Sequence, residues 1–289
     1  MKNSPIGIIG LGIMGSAMAG NLARAGFQVF GYDVAPAQGR ALKKAGGTPC
    51  GSAAEVARNA GVILTSLPSA EALHAVVKEL KGRPVVMETS TLPLEDKLAA
   101  RDALKRSGGT LLDCPLSGTG AQARKKDLVV LASGDQTAFS RVIPFIKGFA
   151  RSDYFLGEFG NGTRMKFVAN LLVAIHNVSA AEAFTLGMKA GLDPQTILEV
   201  AADGAGSSRM LQVRGPQMVA GDYRDATMKV EVWQKDMKII GEFAAKLGVA
   251  TPLFNASAAI YNAAMAQGFA KQDTASVCSV LEVLSKVKR

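Results

Sequence analysis

Two patterns of apolar and polar positions divide the 289-residue chain. Up to about residue 160, short unbroken apolar runs alternate with segments of about ten residues in helical register. The runs predict strands at 5–9, 29–32, 62–67, 84–88, 111–114 and 128–132. They do not alternate with polar residues, as expected for strands buried on both faces. Helices are predicted between them at 13–25, 35–45, 52–60, 69–80 and 94–105, with Ser52 as a cap and Gly26 and Gly46-Gly47 as stops. Such alternation means βαβ units and a parallel sheet. Beyond 160 the strand-like runs vanish. A long helix is predicted from Thr163 to Ala190, closed by Gly191. Asp193-Pro194, a cap followed by proline at the first helical position, starts the next. Further helices follow at 207–219, 227–247, 252–267 and about 273–287. The expected fold is a doubly wound, mostly parallel α/β domain over 1–162 and an all-α domain over 163–289, joined by the long helix at about 163–190.

The first strand runs straight into Gly10-Leu11-Gly12-Ile13-Met14-Gly15, a helix follows, and Asp33 ends the second strand 23 positions after Gly10. In that context Gly-x-Gly-x-x-Gly is a dinucleotide fingerprint, so the first domain is expected to be of the Rossmann type. Gly10 permits the tight turn, Gly12 lets a pyrophosphate approach the backbone, and Gly15 lets the helix pack close to the strand. The helix N-terminus supplies N–H groups and a positive dipole end for phosphates. Asp33 suits adenosine ribose hydroxyls and repels a 2′-phosphate, so NAD is expected, with NADP as the alternative. Asp33 reads otherwise as a cap for the helix near Pro36. Leu67-Pro68-Ser69 and Thr89-Ser90-Thr91-Leu92-Pro93 are expected at the same sheet edge, as candidates for the nicotinamide end.

Composition narrows the setting without changing this picture. With 48% hydrophobic and 20% charged residues the chain is globular. Cys50, Cys114 and Cys278 are far apart, so neither a metal site nor a disulfide framework is indicated, and a reducing cytoplasmic setting is expected. Lys2 precedes an apolar run, but its glycines suit a strand and phosphate loop rather than an export signal. No uninterrupted apolar stretch reaches the ~20 residues of a membrane span. The net charge of +9 is scattered, apart from Arg124-Lys125-Lys126 and the terminal Lys286-Val287-Lys288-Arg289. It suits an anionic cofactor and substrate better than nucleic acid.

A nicotinamide enzyme needs a group that carries the substrate proton. The two histidines, His74 and His176, read as surface or packing residues. Lys166 lies near the start of the long helix, with Asn170 four and Asn177 eleven positions on, all on one face. Placed in the first turn, Lys166 feels the positive dipole end, which lowers a lysine pKa toward the range an acid/base needs. A solvated lysine is the alternative reading of the same spacing.

Four stretches in order resemble the β-hydroxyacid dehydrogenase family, the group of 3-hydroxyisobutyrate dehydrogenase and tartronate semialdehyde (glyoxylate) reductase. They are Gly10-Leu11-Gly12-Ile13-Met14-Gly15 with Met18-Ala19 and Asn21-Leu22; Asp113-Cys114-Pro115-Leu116-Ser117-Gly118; Gly160-x-Gly162-x-x-x-Lys166-x-x-x-Asn170; and Lys235-Asp236. The resemblance implies oxidation of a short 3-hydroxy acid, or the reverse, by a homodimer or homotetramer with a 6-phosphogluconate dehydrogenase-like C-terminal domain. It implies Lys166 as acid/base and Asn170 as a hydrogen-bond partner of the substrate. Ser117 with the N–H groups of Gly118 and Thr119 would hold the substrate carboxylate. Thr91 would sit by the nicotinamide. Lys235 would approach cofactor or substrate, with Asp236 orienting it. The chain departs from the family at Thr119 and Ala121, where the family has glycines, and Gln122 and Arg124 add bulk nearby. Glu88 replaces a frequent aspartate, a change expected to be neutral. An NADPH-preferring reductase of glyoxylate or succinic semialdehyde is the rival enzyme, and a dinucleotide-binding scaffold the non-enzymatic alternative.

Overall fold

The structure, a computed structural model, describes residues 4–289; Lys2 lies outside the described residues. The chain divides into two compact units, one ending at Lys166 and the other spanning Phe167–Arg289.

In the first unit the chain runs through β1 (Pro5–Ile9), α1 (Ile13–Arg24), β2 (Gln28–Tyr32), α2 (Pro36–Lys44), β3 (Thr48–Pro49) and α3 (Ala53–Asn59). It continues through β4 (Val62–Thr65), α4 (Ala70–Glu79), β5 (Val85–Glu88), α5 (Leu94–Arg106) and β6 (Thr110–Asp113). Then come β7 (Leu116–Ser117), α6 (Gly120–Arg124), β8 (Val129–Ala132), α7 (Gln136–Phe149), β9 (Ser152–Phe155) and the start of α8 (Asn161–Lys189). Six parallel strands form one sheet in the order β3-β2-β1-β4-β5-β6, the doubly wound arrangement with its switch point between β1 and β4. Its two faces bury different residues of the same strands. Ile8, Leu64, Met87 and Leu112 belong to one core cluster, and Ile9, Ile63, Val86 and Leu111 to another. That two-sided burial is why the strands read as unbroken apolar runs.

A second small sheet, β7-β8-β9, was not expected; β7 and β8 pair antiparallel, β8 and β9 parallel. Strand β7 has two residues, and β9 is the partly exposed Ser-Asp-Tyr-Phe. Neither carries an apolar run. Helix α7 also went unread, although Phe139, Val142, Phe145, Ile146 and Phe149 lie buried at helical spacing; Pro144 interrupts the pattern. The predicted caps formed. Ser52 Oγ accepts from Glu55 N, and Asp193 accepts from Thr196 N, each worth ~1 kcal/mol.

The second unit contains the rest of α8, α9 (Pro194–Asp203), α10 (Arg209–Ala220), α11 (Val230–Lys246), α12 (Pro252–Ala266), a 3₁₀ turn at Thr274–Ser276 and α13 (Val277–Ser285). Its core gathers Phe167, Phe184, Trp233, Phe254 and Tyr261. On length and composition alone α8 could cross a membrane, its most apolar 18-residue window having a mean hydropathy of 1.4. The buried positions Ala174, Asn177, Ala181 and Phe184 recur at helical spacing, and Asn177 donates to Tyr261 Oη and to the Thr274 carbonyl, both at 2.9 Å. That is the pattern of a helix packed on protein along one side.

Candidate active site

The glycine loop has the shape a dinucleotide needs. Gly10 has φ of 88°, and its N–H donates to the Tyr32 carbonyl at 2.9 Å. A Cβ on Gly15 would lie 1.9 Å from the Gly10 carbonyl oxygen, so only glycine lets α1 start this close to β1. At Gly12 the added carbon would meet nothing within 4 Å: the loop is open where a pyrophosphate would approach. No side chain caps α1, which leaves its first-turn N–H groups to an anion. Leu11 is buried and Met14 half-buried, while Gly12 and the Ile13 side chain are exposed, so the turn is open to solvent at these two positions. These residues fit a dinucleotide.

Asp33 does more than the sequence indicated. It is not the N-cap of α2: that position is Ala35, whose own side chain makes no capping bond. One Asp33 carboxylate oxygen accepts the Leu11 N–H at 2.6 Å and the other the Ala35 N–H at 2.8 Å. The carboxylate therefore braces the glycine loop, and its remaining lone pairs are what a ribose would meet. Leu67 N–H donates to Ser90 Oγ at 2.8 Å, so the two expected nicotinamide-side loops are tied to each other. Pro68 is exposed and Thr91 half-buried beside them.

The stretch Asp113 to Gly118 runs from the end of β6 through β7. Ser117 and Gly118 are half-buried. The Thr119 N–H, expected to face a substrate carboxylate, donates to Gln122 Oε1 at 3.0 Å. Gln122 Nε2 donates to Asp127 Oδ2 at 3.2 Å, and Asp127 pairs with Arg151 at 2.8 Å. Any group that is to reach the Thr119 N–H must displace Gln122. Asn21 Nδ2 donates to the Ala123 carbonyl at 2.7 Å, which explains that motif position: it ties α1 to α6, the helix after the substrate loop.

Helix α8 begins at Asn161, two residues before its expected start, so Lys166 lies in the second turn rather than the first. The helix-dipole argument for a lowered lysine pKa weakens accordingly, because the effect fades beyond the terminal turn. What marks Lys166 instead is burial: it is 8% exposed, and Asn170, one turn on, is 4% exposed. A solvated lysine is excluded. The helix start is held by side chains. Asp113 Oδ2 accepts the Thr163 N–H and Oδ1 the Thr163 hydroxyl, both at 2.7 Å, and Ser133 Oγ accepts the Gly162 N–H at 2.9 Å. A Cβ on Gly162 would lie 2.2 Å from the Leu131 carbonyl oxygen, so the motif glycine is what admits α8 to this position.

Sequence reasoning missed the group behind Asp113. Lys97, fully buried on α5, places Nζ 2.9 Å from Asp113 Oδ1 and 2.6 Å from Glu88 Oε2. Burial opposes its charge, but the two carboxylates prevail and hold the ammonium above its ordinary pKa. Beside it, burial and the Asp113 carboxylate push the Cys114 thiol well up, so it stays neutral.

In the helical unit, Asn170 Nδ2 donates to Asp236 Oδ2 at 3.0 Å, and Lys235 Nζ lies 3.9 Å from Asp236 Oδ1. Asp236 is buried and Lys235 exposed, so the pair presents an ammonium tethered to a fixed carboxylate. Of the histidines, His74 pairs with Asp96 at 3.1 Å on the first unit's surface, and His176 is half-buried on α8.

A doubly wound sheet with a glycine loop open at its first turn defines a dinucleotide-binding unit, and an all-helical unit follows it in the chain. Residues 5–157 match the model of the NAD-binding domain of 6-phosphogluconate dehydrogenase, and residues 160–281 that of the NAD-binding region of NADP-dependent 3-hydroxyisobutyrate dehydrogenase. The chain is 31% identical to L-threonate dehydrogenase of Cupriavidus necator, over 95% of each chain. It is 30% identical to 2-hydroxy-3-oxopropionate reductase of Escherichia coli, over 98% of this chain and 99% of that one. Among solved structures, a 3-hydroxyisobutyrate dehydrogenase from Salmonella typhimurium aligns with a TM-score of 0.86 at 29% identity, covering 96% of this chain and all of that one. The chain belongs to the β-hydroxyacid dehydrogenase family, and it is an NAD(P)-dependent oxidoreductase of 3-hydroxy acids.

Proposed function

We propose that the protein interconverts a short 3-hydroxy acid and its semialdehyde or keto acid, with NAD preferred and Lys166 as general acid/base. The observation that carries this reading is a lysine and an asparagine buried one turn apart on α8, whose first turn is clamped by Asp113 and Ser133. When bound, the nicotinamide supplies or takes the hydride. Lys166 holds the proton of the substrate oxygen, and Asn170, fixed by Asp236, hydrogen-bonds near that oxygen. Ser117 Oγ and the Gly118 N–H receive the substrate carboxylate, with Thr119 joining once Gln122 is displaced. Lys235, tethered to Asp236, adds positive charge toward the cofactor or substrate, and Thr91 borders the nicotinamide. Asp33 favours NAD, because a 2′-phosphate would add charge beside a carboxylate already fixed by two backbone N–H groups. The three free cysteines suit a reducing cytoplasm, and the family resemblance supports a homodimer or homotetramer.

Lys166→Ala should lower kcat ~10²–10⁴-fold and leave cofactor binding nearly unchanged. Wild-type turnover in that variant would sink the assignment. A panel of L-threonate, 2-hydroxy-3-oxopropionate, 3-hydroxyisobutyrate, glyoxylate and succinic semialdehyde, each with both cofactors, identifies the substrate. A second reading, an NADPH-preferring reductase, is favoured by the likeness to glyoxylate/succinic semialdehyde reductase 2 of Arabidopsis thaliana, 28% identical over 96% of this chain. Tighter binding of NADPH than NADH would select it.

A further inference from the structure

Glu88 and Asp113 sit directly opposite each other on the neighbouring parallel strands β5 and β6. Both are fully buried. Two carboxylates in that register repel, and in a buried site both cannot stay ionised without a compensating charge. Lys97 supplies it from α5, on the apolar stripe otherwise made by Leu94, Ala100 and Leu104. The triad carries one net negative charge. It meets the start of α8, whose Thr163 N–H and hydroxyl bind Asp113 and whose dipole favours an anion there.

Each end of the triad continues into a functional segment. From Glu88, Oε1 accepts the Ser90 N–H at 2.9 Å, and Ser90 Oγ accepts the Leu67 N–H at 2.8 Å. Those are the two loops expected at the nicotinamide end. From Asp113, the bonds to Thr163 fix the first turn of α8, three residues before Lys166. Ser133 Oγ reinforces it, donating to Asp113 Oδ2 at 3.2 Å and accepting from Gly160 and Gly162. The path from Leu67 to Thr163 passes through the Lys97 ammonium, which meets Glu88 as an ion pair and donates to Asp113.

We infer that Lys97 is a positioning residue for the reaction: its charge holds the nicotinamide-side loops and the first turns of α8 in one frame, and so sets the place of Lys166. The inference rests on Lys166 being the acid/base. Without the ammonium, the two facing carboxylates repel with no cation between them, the frame opens, and α8 loses its anchor. Among the described residues the charged and titratable groups facing the site are Glu88 on β5, Lys97 on α5, Asp113 at the end of β6 and Cys114 just after it; Ser133 and Thr163 contribute neutral hydroxyls.

The test measures kcat per folded molecule, KM and cofactor dissociation constants for wild type, Lys97→Met and the double variant Glu88→Gln with Lys97→Met. Lys97→Met should lose ~10–10²-fold in kcat, as expected for misplacement of a catalytic group by about 1 Å. The double variant, with one carboxylate left and no facing charge, should recover part of that loss. If Lys97→Met is recovered unfolded, Thr163→Val replaces it: kcat should fall several-fold with cofactor affinity unchanged, and Thr163→Ser should restore it. A kcat per folded molecule equal to wild type, in Lys97→Met or, where that variant does not fold, in Thr163→Val, would overturn the inference. Lys166→Ala, run alongside, separates the two claims. If it keeps turnover, the acid/base assignment fails; if it alone is inactive, only the role of Lys97 fails.

Discussion

The protein buries an ion network in each of its two units, and the two are built differently. In the α/β unit Lys97 meets Glu88 at 2.6 Å and Asp113 at 2.9 Å. In the helical unit Arg214 lies 3.4 Å from Asp273, and its Nε and Nη1 atoms have no hydrogen-bond partner among the described residues; Glu88 Oε2 likewise has none and meets Lys97 as an ion pair. Asp273 hardly depends on Arg214. Its Oδ2 accepts from Thr227 N, Thr227 Oγ1 and Met228 N, and its Oδ1 from Ala275 N and Thr274 Oγ1. Glu88 has the single Ser90 N–H besides Lys97. Asp273 is thus a carboxylate organised by a backbone turn, with a cation nearby, whereas Glu88 and Asp113 are two carboxylates organised by a cation. A buried charge stabilised by several N–H donors survives loss of its counter-ion better than one stabilised by the counter-ion itself.

The sharpest way to break this contrast is to remove each cation. Lys97→Met should cost ~3–5 kcal/mol, the range for uncompensated buried charge, read as a lowered denaturation midpoint. Arg214→Met should cost ~1–3 kcal/mol, the range for a lost buried hydrogen-bonding group. Equal losses would erase the distinction. The pH dependence sharpens it further. The folded pKa of Lys97 is raised above the unfolded value, so its stabilising contribution is fully present below the unfolded pKa and is lost only as pH rises through the higher folded value. Between pH 6 and 9 the Lys97 contribution in the wild-type protein should stay constant, which urea titrations across that range would check. The smallest effect concerns a neutral contact. Gln122→Ala frees the Thr119 N–H without touching either network, so it should lower KM for the acid substrate several-fold, since one N–H bond to a carboxylate is worth ~1.5–3 kcal/mol before the cost of displacing Gln122 is removed. Steady-state kinetics at saturating cofactor would show it, with stability lowered by about 1 kcal/mol at most through loss of the α6 capping box.

What was legible in the sequence follows the same division between local signals and remote partners. The glycine loop and the strand before it are written in consecutive residues, and so are the caps at Ser52 and Asp193. Lys166, Asn170 and Asn177 declared themselves by helical spacing, and all three are buried on α8. The start of α8 was misplaced by two residues because its cap is not a neighbour in sequence: Asp113 and Ser133 bond it from 50 and 29 positions away. Thr119 was assigned an outward N–H because the bond to Gln122 depends on the turn into α6, a five-residue helix that no periodicity reveals. Lys97 left a signal that went unread, a lone charge in register with Leu94, Ala100 and Leu104 on the buried face of α5. Glutamate in place of aspartate at position 88, a change expected to have no effect, becomes consequential beside that lysine.

The central claim is that Lys166 carries a proton rather than only a charge. Lys166→Arg tests it most directly, because arginine keeps the positive charge but does not deprotonate at working pH. The account predicts kcat lowered ~10²-fold or more, with cofactor affinity unchanged. A kcat within about fivefold of wild type would show that charge alone suffices, and would contradict proton transfer by this residue.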